Sequence, residues 1–406
     1  MIQRYLSFII YHLSFSVALL LLTACGGQQP PQSWAERLQN TPPPDSLTFR
    51  YARLIHMEQV EDCRVVYIDN PWKPGMGLHT YVLVPASRGG DIPPSPFGGG
   101  WGEATIVRTP LRRSVVFTSV HCALIDQLQA TEQVAGVADL KYIKVSFVQE
   151  GVKNGHIVDC GDGMSPVVEK IIDSEADAIL LSPFENAGGY GRMENIGIPI
   201  IECAEYMEAS PLARAEWMRF YGMLYGKEKE AEQLFAQVES NYMTLKQQAA
   251  TAADRPSVLV DKMAGSVWYV PGGRSTIGQM LSDANADYPW ADDTHSGSLQ
   301  LAFETVLERA GESDLWLFRY DSPTPIMLNQ LLSEKDGYRM VRPIRLITNS
   351  ESEIRNSSPV YGCNVTTSLF YEETPFRPDL LLQDFIKILH PDIPNLPPLR
   401  YYHRIE

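Results

Sequence analysis

The sequence predicts an α/β protein with two lobes that are joined by one long α-helix and preceded by a β-hairpin. Three observations predict this fold. From residue 104 onward, short apolar runs alternate with amphipathic stretches, which is typical of parallel sheets with crossover helices. A helical pattern of more than twenty residues interrupts this alternation. The segments before and after that helix also repeat the same order of residue types.

Composition limits the classes of function. A chain of 406 residues with 44% hydrophobic and 20% charged side chains suits two or three packed domains rather than a disordered chain. Its 49 acidic and 34 basic residues give a net charge of −15. Nucleic acid is therefore not expected as the main partner, because phosphate binding draws on a basic face. Six cysteines are too few for a disulfide scaffold.

The first 24 residues are predicted to be a signal peptide, because Arg4 precedes an apolar stretch. The stretch ends in Leu22-Thr23-Ala24-Cys25, which resembles the lipobox of bacterial lipoproteins. That resemblance implies lipidation of Cys25 and cleavage before it. A membrane-spanning anchor is the alternative, but it needs about 20 clean apolar residues, and His12 interrupts this run.

Residues 25–46 are rich in Gln and Pro and are predicted to form a lipid-anchored flexible tether. The expected location is the periplasm-facing surface of a membrane. Five cysteines remain after Cys25, and no pair has CxxC spacing. We therefore expect mostly buried thiols, at most one disulfide and no zinc site.

Residues 47–103 are predicted to form a β-hairpin extension and a loop. Arg64–Ile68 and His79–Val84 have the composition of strands, and prolines and glycines lie between them. Residues 88–102 hold six glycines and three prolines, which predicts a loop.

The two lobes are predicted over residues 104–209 and 255–406, with a tail at the end of the second. Their strands are predicted in the apolar runs Ser114–Thr118, Ala178–Leu181, Pro199–Glu202, Ser257–Val260 and Asp314–Phe318.

A helical linker is predicted over residues 210–254. Ser210 and Pro211 are typical of a helix start, and Gly226 is typical of a helix end. A second helix is predicted from Lys227 to about Ala250. At about 1.5 Å per residue it would exceed 30 Å, which is long enough to run along both lobes.

The internal repeat pairs two short segments. Glu169 follows an apolar residue and precedes an amphipathic turn, Asp177 and a buried strand. Glu304 and Asp314 stand in the same order in the second half. This order predicts a structural repeat in which the two glutamates occupy equivalent places.

These segments resemble the substrate-binding proteins of ABC importers for vitamin B12, ferric siderophores and haem. The resemblance covers about residues 104–390. It rests on the order and spacing of Glu169–Ile172 with Ala176–Leu180, Gly197–Ile200, Pro211–Trp217 with Leu224–Glu228, and Phe303–Leu307. The front hairpin, the tail from Tyr361 to Pro391 and Ala302 at a helix-capping position depart from the family pattern.

The resemblance implies two Rossmann-like lobes joined by a rigid helix, with a ligand in the cleft between them. It implies capture of an iron chelate (siderophore or haem) or cobalamin and delivery to an ABC permease dimer with its ATPase. It also implies that Glu169 and Glu304 dock on that permease. We expect a monomer with no cofactor of its own and no metal site, although its ligand would carry iron or cobalt.

Candidate ligand-binding residues lie on loops and at strand ends, where parallel α/β sheets bind ligands. Aromatic walls suit a large flat ligand, and Gly272-Gly273-Arg274 before a helix suits an anion. The candidates are Ser119, His121, Tyr190, Arg192, Trp268, Tyr269, Arg274, Tyr288 and Trp290. His121 could instead bind iron, although a lone histidine is more often structural.

Two other functions remain open from the sequence. A surface lipoprotein could pass haem or a corrinoid to an outer-membrane receptor without an ABC partner. A periplasmic α/β hydrolase is the alternative of another class. The chain has no GxSxG and no HExxH, so we expect no catalytic residues.

Membrane attachment through Cys25 is testable. We expect Cys25→Ser to leave the chain unprocessed or to release it from the membrane, because the thiol that would carry the lipid is gone. Fractionation and the mass of the mature chain report both effects. Normal cleavage together with unchanged membrane association would contradict the prediction.

Overall fold

The computed structural model describes residues 49–89, 104–185, 189–348 and 359–406. The predicted signal peptide and tether, with Cys25, lie outside the described residues. So do residues 90–103 of the predicted loop and residues 186–188. Across the described ranges, no helix has the length and the apolar character that a membrane span requires.

Within these ranges the chain forms twelve α-helices: α1 (Ser119–Gln127), α2 (Ser146–Lys153), α3 (Val168–Asp173), α4 (Pro211–Glu216), α5 (Met218–Tyr225), α6 (Glu228–Ala250), α7 (Thr276–Asp283), α8 (Phe303–Ala310), α9 (Leu328–Glu334), α10 (Arg342–Thr348), α11 (Phe370–Glu373) and α12 (Pro378–Leu389). The same ranges hold eighteen strands: β1 (Ile55–Val60), β2 (Cys63–Asp69), β3 (Gly77–Pro85), β4 (Thr105–Thr109), β5 (Ser114–Val116), β6 (Val134–Val137), β7 (Val158–Asp159), β8 (Gly161–Asp162), β9 (Ser165–Pro166), β10 (Ala178–Leu181), β11 (Ile200–Glu202), β12 (Val258–Val260), β13 (Met263–Ala264), β14 (Val267–Pro271), β15 (Ser298–Leu301), β16 (Leu315–Tyr320), β17 (Val360–Asn364) and β18 (Tyr402–Arg404).

The front of the molecule is a four-stranded sheet in the order β1-β2-β3-β4. The two predicted hairpin strands are confirmed as β2 and β3, which pair antiparallel. The prediction missed β1 and β4. Since β4 pairs in parallel with β3, the front sheet continues past residue 103, where the first lobe was expected to begin. A parallel partner across a long connection leaves no local signal in the sequence.

Both lobes contain the predicted parallel strand pairs, although β18 pairs antiparallel with β17, and a strand begins in each of the five apolar runs. The first lobe has the order β11-β10-β5-β6-β7. The chain winds outward from β5 to β7 and then returns to the other side of β5, so the strand order reverses between β5 and β10. The second lobe has the order β12-β16-β17-β18, with a separate antiparallel sheet β13-β14-β15.

An aspartate fixes the same strand pair in both lobes. The Asp177 carboxylate accepts hydrogen bonds from the backbone amides of Arg112 and Arg113 at 2.6 and 3.1 Å, directly before β5. The Asp314 carboxylate accepts hydrogen bonds from the Ser257 amide at 2.9 Å and the Ser257 hydroxyl at 2.7 Å, directly before β12. The repeat seen in the sequence is therefore a repeat in structure.

The long helix α6 contacts α5 of the linker segment and two helices of the second lobe. Near its start, Glu232 pairs with Arg219 of α5 at 2.8 Å. Further along, Asn241 donates a hydrogen bond to Asp379 of α12 at 3.1 Å, and the Tyr242 hydroxyl donates one to Asp283 of α7 at 2.7 Å. Its 23 residues span about 34 Å. Gly226, which precedes the helix, has the left-handed conformation (φ 65°) of a helix end.

A second connection crosses from the second lobe to the first. Helix α11 packs against α1, and the Phe376 ring meets the Tyr221 ring edge-on at 5.7 Å between centroids. The Lys144 ammonium of the first lobe donates a hydrogen bond to the Val365 carbonyl of the second. This connection comes from the tail that departs from the family pattern.

Buried carboxylates hold the outer segments of the chain. The Glu216 carboxylate accepts three hydrogen bonds from the backbone amides of residues 50–52, at 2.7–2.9 Å. Glu208 accepts hydrogen bonds from the amides of Arg53 and Leu54. Asp384 of α12 accepts hydrogen bonds from the amides of residues 400–402 at 2.7–3.1 Å. Burial raises the pKa of the Asp384 carboxyl, while these hydrogen bonds act to lower it.

The five described cysteines are all buried and free: Cys63, Cys122, Cys160, Cys203 and Cys363. The disulfide that the sequence left open does not form among them.

Asp384 gives a stability prediction. We expect Asp384→Ala to lower the free energy of unfolding by about 2–5 kcal/mol, because three buried amides lose their acceptor. Denaturant unfolding measures the loss. The exposed Asp392 supplies the control, since Asp392→Ala should change stability by less than about 0.5 kcal/mol. Equal effects of the two substitutions would contradict the role of Asp384.

Candidate functional site

A large cavity with a volume of about 580 Å³ lies at the carboxyl ends of the first-lobe strands. Phe117 and Thr118 follow β5, Asp139 follows β6, and Leu181 with Ser182 ends β10. The strand order reverses between β5 and β10, and ligands of open α/β sheets bind in the crevice at such a reversal. The topology of the sheet therefore creates this cavity.

Exposed apolar side chains border the cavity. Met164 lies in the turn between β8 and β9 and is 76% exposed, and Phe184 follows β10 and is 43% exposed. Large apolar side chains in open positions are a feature of interaction sites. Together with Phe117, they provide walls suited to an apolar or aromatic ligand surface.

The cavity carries one charge of each sign. Among the described residues that line it, Arg192 is the only basic residue and Asp139 is the only acidic one. The Arg192 guanidinium also contacts Glu169 Oε1 at 2.7 Å.

Tyr190 forms a fixed part of the wall. Its hydroxyl donates a hydrogen bond to Glu202 Oε1 at 2.6 Å, and Glu202 Oε2 lies 3.0 Å from His79 Nδ1 of the front sheet. Burial and the contact with Glu202 raise the pKa of the Tyr190 phenol, so the hydroxyl keeps the proton that it donates. The front sheet therefore supports the cavity wall through this network.

A smaller cavity of about 240 Å³ lies between the lobes. Val120 of α1 lines it from the first lobe, and Ile277 of α7 lines it from the second. Arg214 of α4 and Arg319 of β16 also border it. Arg319 makes a two-point ion pair with Asp261, at 2.9 and 2.6 Å.

The proposed role of His121 in ligand binding is wrong. Helix α1 begins at Ser119 behind the capping residue Thr118, so His121 lies in its first turn and not in a loop. Its side chain is fully buried and lies 3.5 Å from the buried Glu205 carboxylate. A histidine in this position cannot reach a ligand in either cavity.

Three of the predicted aromatic residues are also structural. Trp268 is 1% exposed, and its indole donates a hydrogen bond to the Val260 carbonyl at 2.9 Å. The buried Tyr288 hydroxyl donates one to the Pro271 carbonyl. Trp290 is buried, with the Arg309 guanidinium 5.3 Å from its ring centroid. These rings pack in the second-lobe core because indole and phenol groups that find a partner can be buried.

The other candidates divide between the cavity and the surface. Tyr190 and Arg192 line the large cavity. Ser119, Tyr269 and Arg274 line neither of the two cavities. Nowhere in the described part of the chain do three or more His, Cys, Asp or Glu residues group in a way that could hold a metal ion.

The sequence contained signals for some of the residues that were missed. Phe117 and Thr118 are the last two residues of the predicted run Ser114–Thr118 and directly follow strand β5, so their position at a strand end was a signal for ligand binding. Arg319 is the penultimate residue of strand β16 and directly follows the predicted apolar run Asp314–Phe318. Met164 has no such signal, because the short β8–β9 turn that exposes it depends on the fold.

Glu169 and Glu304 have equivalent positions. Each is the second residue of its helix, α3 and α8, and each is exposed. Each helix leads to the strand whose aspartate clamp repeats between the lobes. The two carboxylates therefore mark the same place on two related structural units.

Comparison with known proteins identifies relatives. The model of a family described as "Periplasmic binding protein" matches residues 115–338. An uncharacterised lipoprotein of Methanocaldococcus jannaschii is 25% identical over 300 residues, which cover 71% of this chain and 67% of that protein.

Solved structures show the same fold at low identity. A possible iron-binding (periplasmic solute-binding) protein of Staphylococcus epidermidis has a TM-score of 0.52 at 15% identity, covering 70% of this chain and all of its own. A TroA-like periplasmic binding protein of Veillonella parvula has a TM-score of 0.53 at 15% identity, and the match covers 73% of this chain and 96% of that protein. A molybdate periplasmic binding protein of Haemophilus influenzae has a TM-score of 0.52 at 16% identity, and the match covers 69% of this chain and 86% of that protein.

The structural role of Trp268 can be tested by comparison with its neighbour Tyr269. We expect Trp268→Ala to reduce the free energy of unfolding by about 3–5 kcal/mol, because it removes a buried indole and leaves a cavity. Tyr269→Ala, at a position 40% exposed, should cost less than about 1 kcal/mol. Thermal or denaturant unfolding measures both. A small loss for Trp268→Ala would show that this ring does not support the core.

Proposed function

The chain belongs to the periplasmic binding protein family, and from this premise we propose that it captures a metal chelate or cobalamin and delivers it to an ABC permease. It is a solute-binding protein of the ABC-transporter type and not an enzyme. The proposed ligands are a ferric siderophore, haem or cobalamin. The proposed location is the periplasm-facing side of a membrane, with attachment through Cys25.

The cavity at the strand reversal of the first lobe supports this proposal most directly. Its volume of about 580 Å³ lies within the range of sites for small organic ligands. An oxyanion such as molybdate would fill only a small part of it. The apolar border of Phe117, Met164 and Phe184 suits a chelate with aromatic or macrocyclic surfaces. These two features favour a large organic ligand over a bare anion.

Titration of the purified protein tests the ligand class. A ferric siderophore, haemin and cyanocobalamin are titrated in turn and followed by absorbance and calorimetry, with molybdate as the small-anion comparison. We expect one of the three large ligands to bind and molybdate not to bind. Tight binding of molybdate alone would contradict the proposed ligand class.

Phe184 gives the site-specific control. Phe184→Ala should weaken binding of that ligand by about 1–3 kcal/mol, since exposed aromatic anchors contribute on this scale. Tyr142 is another exposed aromatic residue of the first lobe, and it lies outside the large cavity. Tyr142→Ala should leave affinity unchanged. Equal affinities of both variants would move the ligand site elsewhere.

Glu169 and Glu304 are proposed to dock the protein on the permease. Two equivalent carboxylates offer two anionic points, and a two-subunit permease with paired arginines could bind both. Arginine suits this contact because its fork holds a carboxylate with two hydrogen bonds. An exposed ion pair contributes only about 0–1 kcal/mol, so docking should require both carboxylates.

Charge reversal at both glutamates tests docking. We expect Glu169→Arg with Glu304→Arg to abolish ligand-stimulated ATPase activity of the reconstituted permease, because both contacts become repulsive. Each single change should give a smaller loss. The matched control reverses Asp173 and Glu308, which are exposed and lie four residues further along the same two helices. Normal stimulation by the double Glu169 and Glu304 variant would refute the docking assignment.

A further inference from the structure

Arg192 connects two surfaces that have separate roles in the proposed function. Its side chain lines the large cavity, and its guanidinium also holds the carboxylate of Glu169 at 2.7 Å. Both side chains are well exposed, at 74% and 62%. One cation therefore faces both the ligand space and a proposed docking residue.

The backbone around Arg192 is held while its side chain stays free to move. On one side, the Tyr190 hydroxyl is bonded to Glu202, and the Tyr190 amide donates to Glu194 Oε1 at 2.5 Å. On the other side, the Met193 side chain is buried. The exposed guanidinium between these anchors can change partners without moving the loop.

We propose that Arg192 binds the negative charge of an anionic ligand, and that its release of Glu169 makes this carboxylate available for docking. This inference rests on the proposed function and names its ligand class as an anionic chelate. Arg192 is the only basic residue among the described residues that line the cavity, and Asp139 is the only acidic one. Attraction of an anion to the cavity therefore depends on Arg192.

The exchange is energetically feasible because the ion pair is exposed. Pairs of this kind change an equilibrium by no more than about 5-fold. A ligand anion in the cavity would compete with the Glu169 carboxylate for the same guanidinium, and a ligand with several negative charges would attract it more strongly. By linkage, docking at Glu169 and anion binding at Arg192 then favour each other to the same degree.

The second lobe lacks this connection. Glu304 has no ion pair with any residue in the described part of the chain, although it occupies the position equivalent to Glu169. Only the first-lobe carboxylate would then respond to the ligand, and the second-lobe carboxylate would stay available in both states. The Glu169 pKa is lowered by its own backbone amide and by Arg192, so this pKa should rise when Arg192 leaves.

Calorimetry on the full chain in detergent tests the proposal with four probes. An anionic ferric tricatecholate and haemin carry negative charge, whereas a ferric trihydroxamate and cyanocobalamin are the uncharged comparison. We expect at least one anionic probe to bind. Glu169→Gln should raise its affinity by up to about 5-fold, because Arg192 is no longer shared. Asp173→Asn removes an exposed charge from the same helix and should leave this affinity unchanged.

Arg192→Gln completes a double-mutant cycle with Glu169→Gln. It should lower the affinity for the anionic probe by about 10-fold or more and should abolish the effect of Glu169→Gln in the double variant. In the wild-type chain, the Glu169 carboxyl signal, assigned by its loss in Glu169→Gln, should titrate at higher pH once the anionic probe is bound. NMR of carboxyl-labelled glutamate measures this shift.

The outcomes separate the two proposals. Binding of an uncharged probe alone, or equal effects of Arg192→Gln on charged and uncharged probes, would overturn the inference and leave the proposed function intact. An unchanged affinity in Glu169→Gln would also overturn it. If none of the four probes binds the wild-type chain, the proposed function fails, and the inference fails with it.

Discussion

The fixed spacing between the two lobes is the constraint on which the other features depend. Helix α6 packs on α5 of the linker segment and on the second lobe, and α11 adds a direct contact between the lobes when it packs on α1. Many two-lobe binding proteins close about a loop hinge, but a packed helix with a second bridge allows little bending. The cavity and the two carboxylates that we propose for docking would therefore keep a nearly constant spacing, and the proposed recognition would rely on side chains that move, such as Arg192.

Hydrogen bonds from the backbone to a carboxylate recur at several points in the structure. In each case a carboxylate accepts hydrogen bonds from a backbone segment far away in the sequence, either from consecutive amides or, at Asp314, from the amide and the hydroxyl of Ser257. Asp177 and Asp314 fix the parallel strands of the lobes, Glu216 holds residues 50–52, and Asp384 holds residues 400–402. Burial raises the cost of such a charge, and several amide donors together offset it. The front sheet and the terminal strand thus stay attached to the two-lobe core.

The sequence predicted those features that depend on local patterns. Apolar runs identified the parallel strands, Gly226 identified a helix end, and the repeated order around Glu169 and Glu304 identified equivalent positions. The candidate site was predicted less well. Tyr190 and Arg192 line the cavity, but His121, Trp268, Tyr288 and Trp290 are buried. The fold supplies backbone acceptors for the polar groups of Trp268 and Tyr288. Aromatic residues near glycine-rich segments could not be separated into core and surface, since burial depends on contacts far away in sequence.

The burial of the cysteine thiols determines how the protein responds to an oxidising environment. Burial raises the pKa of Cys160 to about 11 and that of Cys363 to about 12, so their thiolate forms are scarce at neutral pH. Thiol exchange and oxidation proceed through an accessible thiolate. Cell-envelope compartments are oxidising and promote disulfide formation. Oxidants and reductants of such a compartment would therefore find no accessible thiol among the described residues, and the same protection would hold if the ligand were a redox-active iron chelate, as we propose.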